Sequence, residues 1–260
     1  MTIMNNSKLF CFGFGYVANN LANSTSWQSV HGTHRADFPL NPELQQRLWE
    51  ATHILHSIPP SAIIDYNYEM QPKWFGYLST TGVYGDTKGD WVDETSEVNP
   101  NNERSRQRVL AEQQWLNSGY NVNIYRLSGI YGPGRSAIDE LKEGTAKRIY
   151  KEGQYFSRIH VEDICAIIKA SMDKTGEIYN CADDLPAPAT EVVEYAAKLL
   201  NITPPPLVPY ETAEISEMAR SFYASSRRVK NDKIKALGIK LAYPTYKEGL
   251  DAIFTKYQQI

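Results

Sequence analysis

Lys8-Leu9-Phe10-Cys11-Phe12-Gly13-Phe14-Gly15-Tyr16-Val17-Ala18 joins an apolar run to a glycine-rich turn and then to a helix-forming segment. This is the G-x-G-x-x-A variant of the dinucleotide-binding fingerprint, at a strand-to-helix junction. Gly13 permits the tight turn, Gly15 lets backbone approach a pyrophosphate, and Ala18 lets the helix pack closely on the strand. The unpaired N–H groups and dipole of the helix N-terminus favour phosphate there. Gly13, Phe14, Gly15, Tyr16 and Val17 are therefore candidate cofactor contacts. Gly-x-Gly also occurs as a plain tight turn; the position after an apolar strand favours the nucleotide reading.

Outward from this junction, strand signals alternate with helical ones. Ser29 to Arg35 suits a second strand, and Asn41-Pro42-Glu43 is a helix start with Asn as N-cap and Pro in the first turn. Thr52 to Ile58, Trp74 to Thr80 and Asn121 to Ile130 read as further strands, with a helix over about Glu103 to Asn117. The alternation predicts an α/β fold, a Rossmann-type doubly wound parallel sheet with a smaller C-terminal α/β part. Only 17 residues, Ala36 to Thr52, separate Arg35 from His53, little room for a helix, a third strand and another helix. A short or irregular connection is expected between Pro59 and Trp74. Later, Val161, Ile164, Cys165, Ile168 and Met172 sit at helical spacing. So do Val193, Ala196, Ala197 and Leu200, and Leu250, Ile253, Phe254 and Tyr257. The expected division is a nucleotide-binding core over 1–135, completed by about 155–185, with 136–154 and 186–260 on the substrate side.

The bulk numbers exclude some classes. The 260 residues are 42% hydrophobic and 22% charged, with a net charge of −3, so no global basic field invites nucleic acid. Arg227-Arg228-Val229-Lys230 reads as a solvated helix face. Cys11, Cys165 and Cys181 are an odd, scattered set, which suits reduced thiols and a cytoplasmic location. No secretory leader and no membrane-spanning run is expected. His53 and His56 lie three apart on a strand, point to opposite faces and cannot share a metal ion. Asp183-Asp184 reads as a turn leading to Pro186.

NAD-binding versions of this fold place an acidic residue about 20 positions past the fingerprint, on the ribose 2′-OH. Here Arg35 lies 22 residues past Gly13, with His34 beside it. A guanidinium there pairs with a 2′-phosphate, so NADP is favoured over NAD.

Four further segments carry a family resemblance. Ser79-Thr80-Thr81-Gly82-Val83-Tyr84-Gly85 resembles the Ser-rich strand-end motif of the extended short-chain dehydrogenase/reductases. Arg126-Leu127-Ser128-Gly129-Ile130-Tyr131-Gly132-Pro133-Gly134 resembles the strand-and-loop signature of their nucleotide-sugar epimerase/dehydratase group. Phe156 to Asp163 is similar to its HVxD segment, and Glu177-Ile178-Tyr179-Asn180 to the strand that follows. The chain looks closest to an atypical bacterial branch of that group. The resemblance implies that Thr80 hydrogen-bonds the substrate oxygen. It places Ile58 and Pro59 beside the adenosine half of the cofactor, and Gly129 and Ile130 beside the nicotinamide. It turns Arg158 and His160 toward the cleft, and it carries a homodimer through helices of the sheet.

One departure stands out. The family's Tyr-x-x-x-Lys pair, on the helix after Thr80, aligns with Arg104 and Arg108. Arg108 can still donate to a ribose. Neither arginine takes up a proton near neutral pH, because its pKa lies above about 12. Three readings stay open. Proton transfer passes to another residue, Tyr84, Tyr131 or His160; or the chain binds NADP and senses it without turnover; or the base lies elsewhere. The substrate expected for an enzyme is a small molecule with a hydroxyl or carbonyl, of the nucleotide-sugar type.

Overall fold

A computed structural model of the protein describes residues 6–60 and 69–259. In chain order come β1 (Lys8–Phe12), α1 (Tyr16–Asn23), β2 (Ser29–Gly32), a 3₁₀ turn (Arg35–Asp37), α2 (Pro42–Trp49), β3 (His53–His56) and β4 (Trp74–Thr80). A second 3₁₀ turn (Thr81–Tyr84), β5 (Trp91–Val92), α3 (Glu103–Leu116), β6 (Val122–Leu127), β7 (Gly129–Tyr131), α4 (Ala137–Lys142) and β8 (Arg148–Tyr150) follow. The chain continues through β9 (Arg158–His160), α5 (Val161–Ala170), β10 (Ile178–Cys181) and α6 (Ala189–Leu199). It ends with β11 (Leu207–Pro209), α7 (Glu217–Tyr223), β12 (Arg228–Val229), α8 (Asp232–Ala236) and α9 (Tyr246–Gln258).

Six strands pair in parallel in the order β10-β6-β4-β3-β1-β2. The winding reverses at β1, which has β2 on one side and β3 on the other. In such sheets ligands bind outside the carboxyl ends of the strands at that reversal. Among the described residues the sheet ends at β2. The link from β2 to β3 holds only the 3₁₀ turn and α2, so the shortage of chain read from the sequence appears as a missing outer strand. The irregular connection expected after Pro59 falls largely on 61–68, outside the described residues.

Alternation along β1 divides the core. Leu9 and Cys11 face α1 and α5, packing with Leu21, Ile164 and Ile168. Phe10 and Phe12 face the opposite side, packing with Leu48 of α2 and Trp115 of α3. Each such side chain taken out of water contributes about 1.5–3 kcal/mol. His53 and His56 divide the same way: His53 packs against Trp27 and Trp74, His56 against Phe12, Tyr77 and Trp115. Asn41 caps α2, its side chain accepting from the Leu44 N–H at 2.9 Å, with Pro42 in the first turn. A second core joins α4, α6 and α9 through Ile138, Val192, Ala196, Leu250 and Ile253.

Two sequence readings need correction. β2 stops at Gly32 rather than running to Arg35. Thr33 donates to Cys11 O at 3.0 Å, and Phe14 to Thr33 O at 2.9 Å, fastening the chain to the fingerprint turn before it curls into the 3₁₀ turn. Nor is 227–230 a solvated helix face. Arg228 and Val229 form β12, which pairs with β5, and Val229 is buried.

Candidate active site

A cavity of about 610 Å³ opens at the carboxyl ends of the central strands. Gly15, Tyr16 and Val17 form one rim, where the fingerprint turn enters α1. Ser57 follows β3, Thr80 ends β4, and Gly129 and Ile130 follow β6. The start of α3 supplies Arg104 and Arg108. The opposite wall comes from Tyr155 to Arg158, from α7 and from Arg227.

The fingerprint turn has the shape its sequence implies. Gly13 has φ +83°, a conformation glycine adopts without strain, and a Cβ there would lie 2.9 Å from Ile58 Cγ1. A Cβ on Gly15 would meet nothing within 4 Å. Ala18 is fully buried against the sheet. The Ser57 hydroxyl donates to Gly13 O at 2.5 Å, tying the turn to the end of β3. The space over Gly15, at the N-terminus of α1, fits a dinucleotide's pyrophosphate.

The sequence-predicted residues divide by location. Gly15, Tyr16, Val17, Thr80, Arg108, Gly129, Ile130 and Arg158 share the cavity. Gly13 and Ile58 stand against each other just outside its lining, with Phe14 packed over Gly32 and Pro59 exposed next to Ile58. His34 and Arg35 are exposed on the 3₁₀ turn beyond β2, where the His34 N–H donates to Asp37 Oδ2 at 2.6 Å. Thr80 Oγ1 accepts from the Gly82 N–H at 3.0 Å. Arg108 Nη1 donates to Leu78 O at 2.8 Å and to Tyr77 Oη at 3.2 Å, which holds its guanidinium at the edge of β4. Arg158 Nη1 donates to Phe156 O at 2.8 Å and Ala187 O at 3.0 Å.

The alternative proton carriers do not line the cavity. Tyr84 is buried; its hydroxyl donates to Asn180 Oδ1 at 2.8 Å and accepts from Arg126 Nη1 at 2.9 Å. Burial raises its pKa. Tyr131 is buried too, and burial with nearby Asp183 pushes its pKa up. His160 caps α5, Nδ1 accepting from the Glu162 N–H at 3.2 Å, so its proton sits on Nε2, which has no hydrogen-bond partner among the described residues. Burial lowers its pKa to about 4, leaving the ring neutral near pH 7. Asp183 is buried rather than a plain surface turn, and burial raises its carboxyl to about 8.

Sequence reasoning missed several lining residues, among them Arg135, Tyr155, Ser128 and Arg227. They come from separate segments and share no spacing, so only the fold brings them together. Among the described residues no group of His, Cys, Asp and Glu could hold a metal ion, and no helix is long and apolar enough to cross a membrane.

The parallel sheet, the winding reversal at β1 and the glycine turn beneath the cavity define the Rossmann class of α/β proteins. Residues 14–182 match the NAD dependent epimerase/dehydratase family, and the chain belongs to it. Protein YeeZ of Escherichia coli K12 is 37% identical over 136 residues, 50% of this chain and 47% of that protein. The chain thus spans about half the length of the curated relatives it matches. A functionally unknown conserved protein from Silicibacter pomeroyi DSS is 40% identical, with a TM-score of 0.85 over 97% of this chain and 100% of that one. The dTDP-glucose 4,6-dehydratase of Bacillus anthracis, solved with NAD, shares the fold at 18% identity, with a TM-score of 0.72 over 98% and 97% of the chains.

Proposed function

We propose that this protein is an NADP-dependent oxidoreductase or epimerase of the extended short-chain type, acting on a hydroxyl or carbonyl of a small molecule such as a nucleotide sugar. The observation that carries the reading is that the fingerprint turn and Thr80 open onto one cavity. Gly15 to Val17 would hold the pyrophosphate, with Gly13 and Phe14 shaping the turn. His34 and Arg35 would take the adenosine phosphate, and Ile58 and Pro59 would border the adenosine. Arg108, Gly129 and Ile130 would border the nicotinamide ribose. The nicotinamide, when bound, supplies hydride exchange at its C4. Thr80 would orient the substrate oxygen, Arg158 would contact the substrate from the facing wall, and 136–154 and 186–260 would form the smaller substrate-side part. A homodimer and a cytoplasmic location belong to the same proposal.

A second reading is an NADP sensor or scaffold without turnover. It is favoured by α3, which carries Arg104 and Arg108 and neither tyrosine nor lysine. Both readings require coenzyme binding; hydride transfer separates them. With 4-deuterated NADPH and a panel of nucleotide sugars, the enzyme reading expects label loss that slows at least about 100-fold in Thr80→Ala. No transfer across the panel favours the sensor.

Coenzyme choice has its own test. Arg35→Glu is expected to weaken NADP binding by about 10–100-fold, the worth of a charged hydrogen bond, and to leave NAD binding nearly unchanged. Calorimetric titration with both coenzymes reads this. Unaltered selectivity would remove the 2′-phosphate role from Arg35.

A further inference from the structure

Five arginines line the cavity: Arg104 and Arg108 on α3, Arg135 after β7, Arg158 on β9 and Arg227 before β12. Among the described residues no aspartate, glutamate, lysine or histidine lines it with them. The chain as a whole carries more acidic than basic residues, 30 against 27. Among the described residues none of the five forms an ion pair. A concavity lined by one sign of charge focuses its field inward and concentrates the opposite charge.

The cofactor reading accounts for part of this charge. Arg135 stands by the fingerprint, its guanidinium 5.8 Å from the ring centre of Tyr16. Arg108 is tied to the edge of β4. Arg104 lies one turn earlier on α3, at the position where the family resemblance puts the proton-transferring tyrosine. It is exposed, rests 5.9 Å from the ring centre of Phe222 on α7, and makes no hydrogen bond among the described residues. On the same cavity's wall Arg227 Nε and Ser128 Oγ are buried without hydrogen-bond partners among the described residues. These are donors that the described residues leave unused, in a place where buried polar groups are normally satisfied.

We propose that Arg104 grips an oxyanion at the reacting end of the substrate, so that the substrate is an alcohol or carbonyl compound bearing a phosphate or carboxylate near the reacting carbon. A guanidinium gives up no proton near neutral pH, but its planar fork of donors matches both oxyanions. The replacement of the tyrosine thus exchanges a proton carrier for an anion clamp. The inference rests on the dinucleotide-dependent reading above.

The test titrates coenzyme-saturated protein with sodium pyrophosphate and, separately, with malonate, by calorimetry at low salt. Saturation blocks the fingerprint, so a probe that binds occupies the substrate half. At least one probe is expected to bind the wild type. Arg104→Gln should weaken it at least tenfold, Arg104→Lys should retain part of the affinity, and coenzyme affinity should change less than twofold in both. Binding of pyrophosphate points to a phosphoryl group and binding of malonate to a carboxylate. Equal binding by wild type and Arg104→Gln overturns the inference, as does the absence of probe binding to the coenzyme-loaded wild type. Failure of coenzyme itself to bind overturns the dinucleotide reading instead, and is read in the first titration.

Discussion

Glu112→Ala is expected to lower the free energy of unfolding by about 3–5 kcal/mol, the cost of leaving a buried charge without its partner. Glu112 on α3 and Arg126 on β6 are paired at 2.7 Å, their side chains 4% and 5% exposed. Arg126 Nε also donates to both carboxylate oxygens at 3.2 Å. The Ser79 hydroxyl donates to Glu112 Oε1. Arg126 Nη1 continues to Tyr84, and Tyr84 to Asn180 on β10. One network therefore ties α3, β4, β6, the second 3₁₀ turn and β10 under the floor of the cavity. Removing the carboxylate strands the guanidinium in the core, whereas replacing both partners by apolar groups of similar size removes the problem as well as the pair. Glu112→Leu combined with Arg126→Met should recover most of the loss. Urea melts of the three variants decide it. A loss under about 1 kcal/mol for Glu112→Ala would mean that the pair behaves like an exposed one. The network also has a functional consequence: Ser79 precedes Thr80, and α3 carries Arg104 and Arg108, so the same contacts fix the strand end against the helix that faces it.

What could be read from the sequence follows from range. The fingerprint turn is local: apolar strand, two glycines and a small residue in the first helical turn suffice to indicate it. The clipped link between β2 and β3 was legible because 17 residues leave little room for the elements such a sheet would need; that the outer strand is the element left out among the described residues was not. The end of β2 was not, because the Thr33 and Phe14 hydrogen bonds that turn the chain away join two segments about 20 residues apart. Burial of Tyr84 was equally invisible, since its partners Arg126 and Asn180 lie 42 and 96 residues away. The basic run at 227–230 was misread because charge alone does not distinguish a surface helix from a strand edge. Pairing of β12 with β5 sends Val229 inward and places Arg227 on the cavity wall. The arginine lining is the extreme case: Arg104 and Arg108 share one helix, but Arg135, Arg158 and Arg227 come from separate segments that only the fold brings to the pair.

Gly15→Asp should separate coenzyme binding from folding more sharply than any other change in the fingerprint. Gly15 is the N-cap of α1, with φ −87° and ψ −166°, extended backbone open to any residue. A Cβ there meets no neighbour, and aspartate is a favoured N-cap whose charge suits the positive end of the helix. The melting temperature is therefore expected to stay level or rise slightly. The same carboxylate, however, occupies the space proposed for the pyrophosphate and competes for the same N–H groups while repelling its charge. The dissociation constant for NADP should rise at least about 100-fold, equivalent to about 2.7 kcal/mol. Gly13 is a poorer test: its positive φ and the approach of Ile58 mean that a substitution there disturbs the turn itself, and lost binding could not be told from a damaged fold. Parallel calorimetry and thermal melts on Gly15→Asp give both readings from one protein. Unchanged coenzyme affinity in a well-folded Gly15→Asp protein would mean that the pyrophosphate lies elsewhere, and the roles proposed for Arg35, Arg108 and Thr80 would lose their common reference point.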